Sequence, residues 1–335
     1  MSPIDIDALF TPLPPSPLQA VSHPMLTERQ IRLWVKRDDL LHPALIGNKY
    51  RKSTVYFRQA VAQGITTLVS FGGAYSNHLL ALAAMGQQVG MQTVGCVRGE
   101  VDLQRSPILA QCAAYGMQLI ALTRQAYYPE QQQMSVMLQQ QLQPFAPYLI
   151  VPEGGTSAAC VADVSRIVDE LAIQQACDVL VCPVGSGGTL AGLAYGLMQR
   201  HRLSVTQPKS ALSQCRLLGL SAAKGYTALP MQGQQALQQA CAADADLQQR
   251  LFNVSAWLTV DSSAALNGFG RIKPAQLQQL CQLQQQLQIP LDYVYTGKAL
   301  LHLWSSMQQQ DHWIGQRVVF VHTGGYQTAA LPCQN

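Results

Sequence analysis

An α/β fold of mostly parallel strands with flanking helices is what this sequence predicts, and three observations carry it. Short, nearly continuous apolar runs recur along the chain, segments with helical apolar spacing lie between them, and glycines close several of the runs. Strands buried on both faces of a parallel sheet read as unbroken apolar runs rather than as alternation. Right-handed crossovers then join strand to strand through helices.

In chain order, "TTLVSF" (66 to 71) is such a run, closed by Gly72 and Gly73, and "SNHLLALAAMGQQVG" (76 to 90) follows with helical spacing. "MQTVGCV", "MQLIAL", "PYLIVP", "DVLVCPV", "CRLLGL" and "RVVFVH" are further candidate strands, with helices predicted over 157 to 175 and 189 to 200 among the segments between them. Two glutamine-rich tracts, "EQQQMSVMLQQQLQ" and "AQLQQLCQLQQQLQ", keep leucine and methionine at helical spacing and read as solvated amphipathic helices.

At 335 residues the chain exceeds one ordinary core, so two domains, or one large domain with an insertion, are expected. Hydrophobic residues make up 48% and charged residues only 12%, which is the composition of a packed globule. The net charge is +4, but the 22 Lys and Arg are scattered without a basic cluster, so nucleic acid and anionic membranes are not expected partners. The N-terminal stretch carries acids and prolines where a secretory signal needs a basic start and an apolar run, and no run of about 18 apolar residues spans a bilayer. Nine cysteines without a C-x-x-C pair read as reduced core thiols, neither disulfides nor a metal site, in a cytoplasmic protein.

Ligands of such sheets bind in the loops at the carboxyl ends of strands. "DVLVCPVGSGGTLAGLAYGL" is a strand, then Gly185, Ser186, Gly187, Gly188 and Thr189, then a helix. Glycines let backbone N–H groups approach an anion, the helix N-terminus adds a favourable dipole, and two hydroxyls add donors. Leu190 stands where a dinucleotide fingerprint needs its last glycine, and the terminal lysine of a P-loop is absent. What remains is a cup for one phosphate. A tight turn without a ligand is the plain alternative, but five consecutive Gly, Ser and Thr exceed what a turn requires.

A phosphate monoester cofactor suggests pyridoxal 5′-phosphate, which needs a lysine. Seven are present: Lys36, Lys49, Lys52, Lys209, Lys224, Lys273 and Lys298. Lys49 stands out in "LIGNKYRKS", because Gly47 and Asn48 make a loop and the following residues look helical, placing the amine at a loop-to-helix junction. From spacing alone it is equally a surface lysine at a helix start.

Five blocks in order and spacing, "VKRDDL…GNKYRKS", "LVSFGGAYSNHLLALAA", "GSGGTLAG", "LDYVYTGKA" and "VHTGG", resemble the pyridoxal-phosphate-dependent 1-aminocyclopropane-1-carboxylate (ACC) deaminase and D-cysteine desulfhydrase family. The resemblance runs from about residue 30 to 328. It implies the tryptophan-synthase-β-like fold (fold type II), two open twisted mostly parallel sheets with flanking helices, in a homodimer. It implies a larger cofactor-binding domain, 1–52 with 160–335, and a smaller inserted α/β domain, 53–159. Lys49 becomes the Schiff-base lysine and Lys52 a phosphate or structural partner. Asn77 becomes a partner of the cofactor's 3′-oxygen, and Gly185 to Thr189 the phosphate cup. Ser76, with Asn77 and His78 at a helix start, fits a substrate-carboxylate site, because free amides there attract an anion. Ser76 is also a candidate N-cap, and the two roles are compatible.

Three departures bear on the chemistry. Thr296 stands where ACC deaminases typically carry a glutamate; a carboxylate keeps the pyridine nitrogen protonated, whereas a hydroxyl leaves it largely neutral, a weaker electron sink. A weaker sink suffices when a leaving group sits on the β-carbon. Phe269 in "NGFGR" replaces a tyrosine of the ring-opening members, and Tyr75 replaces the glutamine common before the Ser-Asn pair. The expected activity is β-elimination from a small amino acid, D-cysteine first, giving pyruvate, sulfide and ammonia. Lys49 acts as base and Tyr295 orients or protonates the leaving group, although Tyr295 could equally pack beside the ring. ACC deamination is the alternative, and a phosphate-binding module without this cofactor is the second.

Overall fold

The computed structural model describes residues 14–42, 47–123, 126, 136–206, 212, 214–325 and 333. β1 (Leu18–Val21), α1 (Pro24–Glu28) and β2 (Arg32–Arg37) come first. α2 (Asn48–Ala62), β3 (Thr67–Gly73), α3 (Asn77–Val89), β4 (Gln92–Arg98), α4 (Pro107–Ala114), β5 (Gln118–Leu122), α5 (Val136–Leu142) and β6 (Tyr148–Val151) follow. The chain continues through α6 (Ala158–Gln174), β7 (Val179–Val184), α7 (Gly188–Thr206), β8 (Arg216–Ser221), α8 (Met231–Cys241) and α9 (Ala245–Phe252). β9 (Leu258–Asp261), α10 (Pro274–Leu287), α11 (Thr296–Gln309) and β10 (Arg317–His322) complete it.

These elements form two compact units, a larger one containing Pro14–Leu41 and Ser157–Asn335 and a smaller one containing His42–Thr156. The sequence reading put the first boundary after residue 52. In the structure Lys49 and Lys52 go with the smaller unit, because α2 is one continuous helix that packs on α3, β3 and β6 and carries its first turn with it. Residues 1–13 and 43–46, counted in that first segment, and 130–135, at the start of the first glutamine tract, lie outside the described residues.

The larger unit holds a sheet of order β1-β2-β10-β7-β8-β9, parallel except for β1. Alternate residues of one strand enter opposite cores. Val318 and Phe320 of β10 pack with α10 and α11, whereas Val319 and Val321 pack with α6 and α7. That two-sided burial is why "RVVFVH" and "VLVCPV" are unbroken apolar runs. The smaller unit holds a parallel sheet of order β5-β4-β3-β6, with Val69, Phe71, Val94 and Cys96 packed against Leu138 and Leu142 of α5.

The seven strands read from apolar runs are all present as β3 to β8 and β10. β1, β2 and β9 were not foreseen, since "LQAV", "RLWVKR" and "LTVD" are short or interrupted by charge. The charges of β2 are accommodated by burial in pairs. Lys36 is 0% exposed, with its Nζ 2.6 Å from Glu170 Oε2 and donating to Ser16 O and Gln174 Oε1. Arg37 grips Asp39 at 2.8 and 2.7 Å, and Asp39 lies 3.3 Å from the ring of His322 at the end of β10. Pairing is what makes such burial tolerable.

The expectation of reduced thiols throughout is corrected at one place: Cys281 of α10 and Cys333 form a disulfide, with Cα atoms 5.5 Å apart. A separation of 52 residues gives no local signal, and only the approach of Cys333 to α10 brings the two together. The other seven cysteines are free and buried, with Cys96 and Cys112 pushed up to about 12 by burial and so unreactive. No helix among the described residues is long and apolar enough to cross a membrane, and no metal-ligand cluster occurs among them.

Candidate active site

In the smaller unit, the chain enters α2 through Gly47, whose φ of 46° favours glycine. Lys49 is half-buried in the first turn. Lys52, almost fully buried one turn on, donates from Nζ to Gly154 O at 2.8 Å and Thr156 Oγ1 at 3.3 Å. It thus ties α2 to the loop after β6.

The loop from β3 to α3 brings the second group of residues to the same unit. Ser76 is the N-cap of α3, its Oγ accepting from Leu79 N at 3.2 Å. A Cβ at Gly72 would lie 2.6 Å from Ser76 Oγ, so the turn requires glycine there. Asn77 follows as the first helical residue. Tyr75 is 66% exposed and donates from its hydroxyl to Arg105 O.

His78 is the second helical residue of α3, and its side chain faces away from the helix start. It is 3% exposed, and its ring turns inward to Ser70 of β3 at 2.8 Å. Ser70 gives its own proton to Val151 O, so His78 Nε2 donates and Nδ1 is left bare and without a hydrogen-bond partner. Burial, followed by the charges of Lys49 and Lys52, holds its pKa well below the ordinary histidine value. It stays neutral. Only its backbone amide remains available at the helix N-terminus.

In the larger unit, Gly185 to Gly187 link β7 to α7, and the first turn of that helix contains no acidic residue. Gly187 has φ of 86°, and a Cβ there would lie 3.0 Å from Pro230 Cδ; one at Gly233 of α8 would lie 2.8 Å from the Gly187 carbonyl. The loop is packed backbone to backbone on α8. A Cβ at Gly185 would lie 3.0 Å from Tyr295 Cε1, so the Tyr295 ring covers the start of the loop. Ser186 is half-buried and Thr189 buried.

Tyr295 and Thr296 open α11. Their amides, with that of Val294, all donate to the buried carboxylate of Asp292, at 2.5, 2.8 and 2.6 Å. Asp292 was not foreseen as a site residue, although an aspartate just ahead of a helical run is an N-cap signal that could have found it. A Cβ at Gly297 would strike Asp292 O, so the glycine of "YTGK" is needed for the same turn. Phe269 meets Tyr295 edge to face, with centroids 5.5 Å apart.

Thr296 is 0% exposed, and its hydroxyl donates to Gly324 O at 3.0 Å and lies 3.3 Å from Thr323 Oγ1. Thr323 is the half-buried member of this pair and was missed as a site residue, although "VHTGG" contains it. The Thr296 hydroxyl thus has the Thr323 hydroxyl and the Gly324 carbonyl as its partners, while the Asp292 carboxylate is taken up by backbone amides.

A family description, pyridoxal-phosphate dependent enzyme, matches residues 9–324. The chain belongs to this family of pyridoxal-phosphate dependent enzymes. The residues fit the cofactor: an acid-free glycine loop at a helix N-terminus suits its phosphate, and a half-buried lysine at a helix start suits its aldehyde. The reading as a phosphate-binding module without the cofactor is set aside. The chain is 29% identical to D-cysteine desulfhydrase of Yersinia pestis (strain Pestoides F) over 301 residues, 88% of this chain and 86% of that one. It is 30% identical to D-cysteine desulfhydrase of Serratia proteamaculans (strain 568) over 305 residues, with the same shares. A solved ACC deaminase homologue superposes with TM-score 0.67 at 22% identity, over 96% of this chain and 95% of that chain, which shows the common fold type II architecture.

Proposed function

We propose that this enzyme eliminates the β-substituent of a small amino acid, D-cysteine first, to release pyruvate, hydrogen sulfide and ammonia with consumption of one water. The observation that carries the proposal is the Thr296 and Thr323 hydroxyl pair, where a strong electron sink would call for a carboxylate. Relatives named for D-cysteine desulfhydration support it.

Bound pyridoxal 5′-phosphate supplies the sink for the electron pair left when the Cα–H bond breaks. Gly185 to Thr189 would hold its phosphate through backbone amides and the Ser186 and Thr189 hydroxyls. Asn77 would be the partner of its 3′-oxygen. Lys49 would anchor it and would serve as the base that takes the α-proton of the substrate. The amides at the start of α3, with Ser76, bind the substrate carboxylate beside Tyr75. Tyr295 orients the leaving sulfur and returns a proton to it, while Phe269 walls the pocket. Asp292 keeps Tyr295 and Thr296 in place. A cytoplasmic homodimer belongs to the same reading, and light scattering of the purified protein reports its subunit number.

The test is 2-oxo acid release from D- and L-cysteine, D-serine and ACC at equal cofactor occupancy. D-cysteine is expected to be turned over with kcat/KM at least about tenfold above ACC, a difference of roughly 1.4 kcal/mol in barrier. Efficient opening of ACC with no sulfide release from either cysteine would transfer the proposal to ACC deamination. In Thr296→Val the shape is kept and the bond to Gly324 O is lost. Cofactor affinity should fall by on the order of 1 kcal/mol, about fivefold, in a fluorescence titration of the apoenzyme.

A further inference from the structure

Lys298 is a lysine that the proposed chemistry does not use, and it is 0% exposed. It lies in the first turn of α11, two residues after Thr296, yet its side chain leaves the helix. Nζ donates to Gly268 O at 2.7 Å and Arg271 O at 2.6 Å, and reaches Ala265 O at 3.4 Å. Three carbonyls of one loop therefore converge on one ammonium. Burying that charge carries a large penalty, which the carbonyls offset only if the loop keeps this shape.

The loop is a chain of tight turns, with Gly268 N donating to Ala265 O and Arg271 N to Gly268 O, and Asn267 Nδ2 donating to Gln276 Oε1 of α10. Leu266, Gly268 and Gly270 have φ of 55°, 103° and 66°, left-handed backbone that persists where surrounding contacts hold it, and the Lys298 ammonium adds three carbonyl contacts to those turns. Its tip, Phe269, is 57% exposed and rests on Tyr295, and Tyr295 in turn covers Gly185. One turn along α11, His302 Nε2 lies 2.9 Å from Asp261 Oδ2, so the same helix also ties the start of the segment. The contacts run unbroken from Lys298 through Phe269 and Tyr295 to the cup.

We propose that Lys298 is a positioning residue for substrate selection: through the carbonyls of Ala265, Gly268 and Arg271 it sets the loop that presses Phe269 against Tyr295. The class selected is small amino acids with a soft, weakly solvated β-substituent such as a thiol. An aromatic edge attracts sulfur and offers a hydroxyl no hydrogen bond. The inference rests on the elimination reading, and the experiment separates the two.

Lys298→Met keeps length and removes the charge. Arg271 supplies a readout independent of activity, since the Arg271–Ile272 bond becomes a trypsin site when the loop opens. Cleavage there tracks the open population. In Lys298→Met holoenzyme, cleavage at Arg271 is expected to rise at least about tenfold. KM for D-cysteine is expected to rise by a similar factor, with kcat changed less than about threefold and the preference over D-serine reduced. Lys298→Arg should restore most of both, and the exposed tip variant Phe269→Leu should reproduce the KM change without the faster cleavage. Faster cleavage with unchanged KM and unchanged thiol preference overturns the proposal, as does unchanged cleavage. If Lys298→Met does not fold, Phe269→Leu decides, and an unaltered KM and preference there overturns it. If the wild type releases sulfide from neither cysteine, the elimination reading fails; cleavage at Arg271 and KM for whichever substrate is turned over then judge the positioning role.

Discussion

Lys49→Ala is expected to lose 2-oxo acid release by about a thousandfold or more, with the fold intact, since it removes both the anchor of the cofactor and the proposed base. The side chain is half-buried at the start of α2, and Tyr50, Phe57 and Ala60 bury the packing face of that helix. Thermal unfolding should therefore shift little. Borohydride treatment followed by peptide mass analysis should label residue 49 in the wild type and nothing in the variant, while the cup of Gly185 to Thr189 still takes up free cofactor weakly. A variant that retains the reducible adduct and normal turnover would move the anchor to another lysine, Lys52 being the first to examine. Its bonds to Gly154 and Thr156 argue against that outcome.

The largest stability loss is expected from Glu170→Ala. Glu170 lies 2.6 Å from the buried Lys36 ammonium and also accepts from Ser16 N at 3.1 Å. Its removal takes the Glu170 charge away from a lysine that is 0% exposed, and breaking a buried pair in this way costs about 3–5 kcal/mol. The denaturant midpoint of the larger unit should fall accordingly. Lys36→Met combined with Glu170→Leu is the control. Replacing both partners by apolar side chains of similar volume should recover most of the loss, whereas a loss equal to the single variant would mean that packing around Glu170, not its charge, is what matters. The strand that carries Lys36 continues into Arg37 and Asp39, which meet His322 just ahead of Thr323, so cofactor retention should weaken along with stability.

What was legible in the sequence depended on local pattern. The glycine loop before α7 could be read because its glycines, hydroxyls and helix start are adjacent in the chain. The strands could be read because both their faces are buried. Lys49 was visible as a loop-to-helix lysine, but spacing alone did not separate it from a surface lysine, and only the resemblance of five blocks in register put it forward as the anchor. Asp292 and Thr323 went unremarked for different reasons. The first acts through backbone amides rather than through any reactive partner, and the second matters only because β10 ends beside the start of α11. β2 escaped because its cations looked solvated, whereas Glu170, Asp39 and the Ser16 and Gln174 oxygens receive them inside.

By itself, then, the sequence determined the α/β class, the place of the strands, the glycine loop and the run of blocks that mark a pyridoxal-phosphate dependent enzyme. Period, composition and adjacency are properties of the chain before it folds. Tertiary structure decided which unit carries Lys49, because a helix keeps its first turn with the sheet it packs on. It decided that His78 turns inward to Ser70 and is neutral, that Cys281 meets Cys333, and that Lys298 holds the loop of Phe269. Each of these depends on a partner distant along the chain or across a turn whose direction no local pattern states. Burial then sets the charge state or the contact, since a polar group removed from water takes whatever partner the fold brings to it.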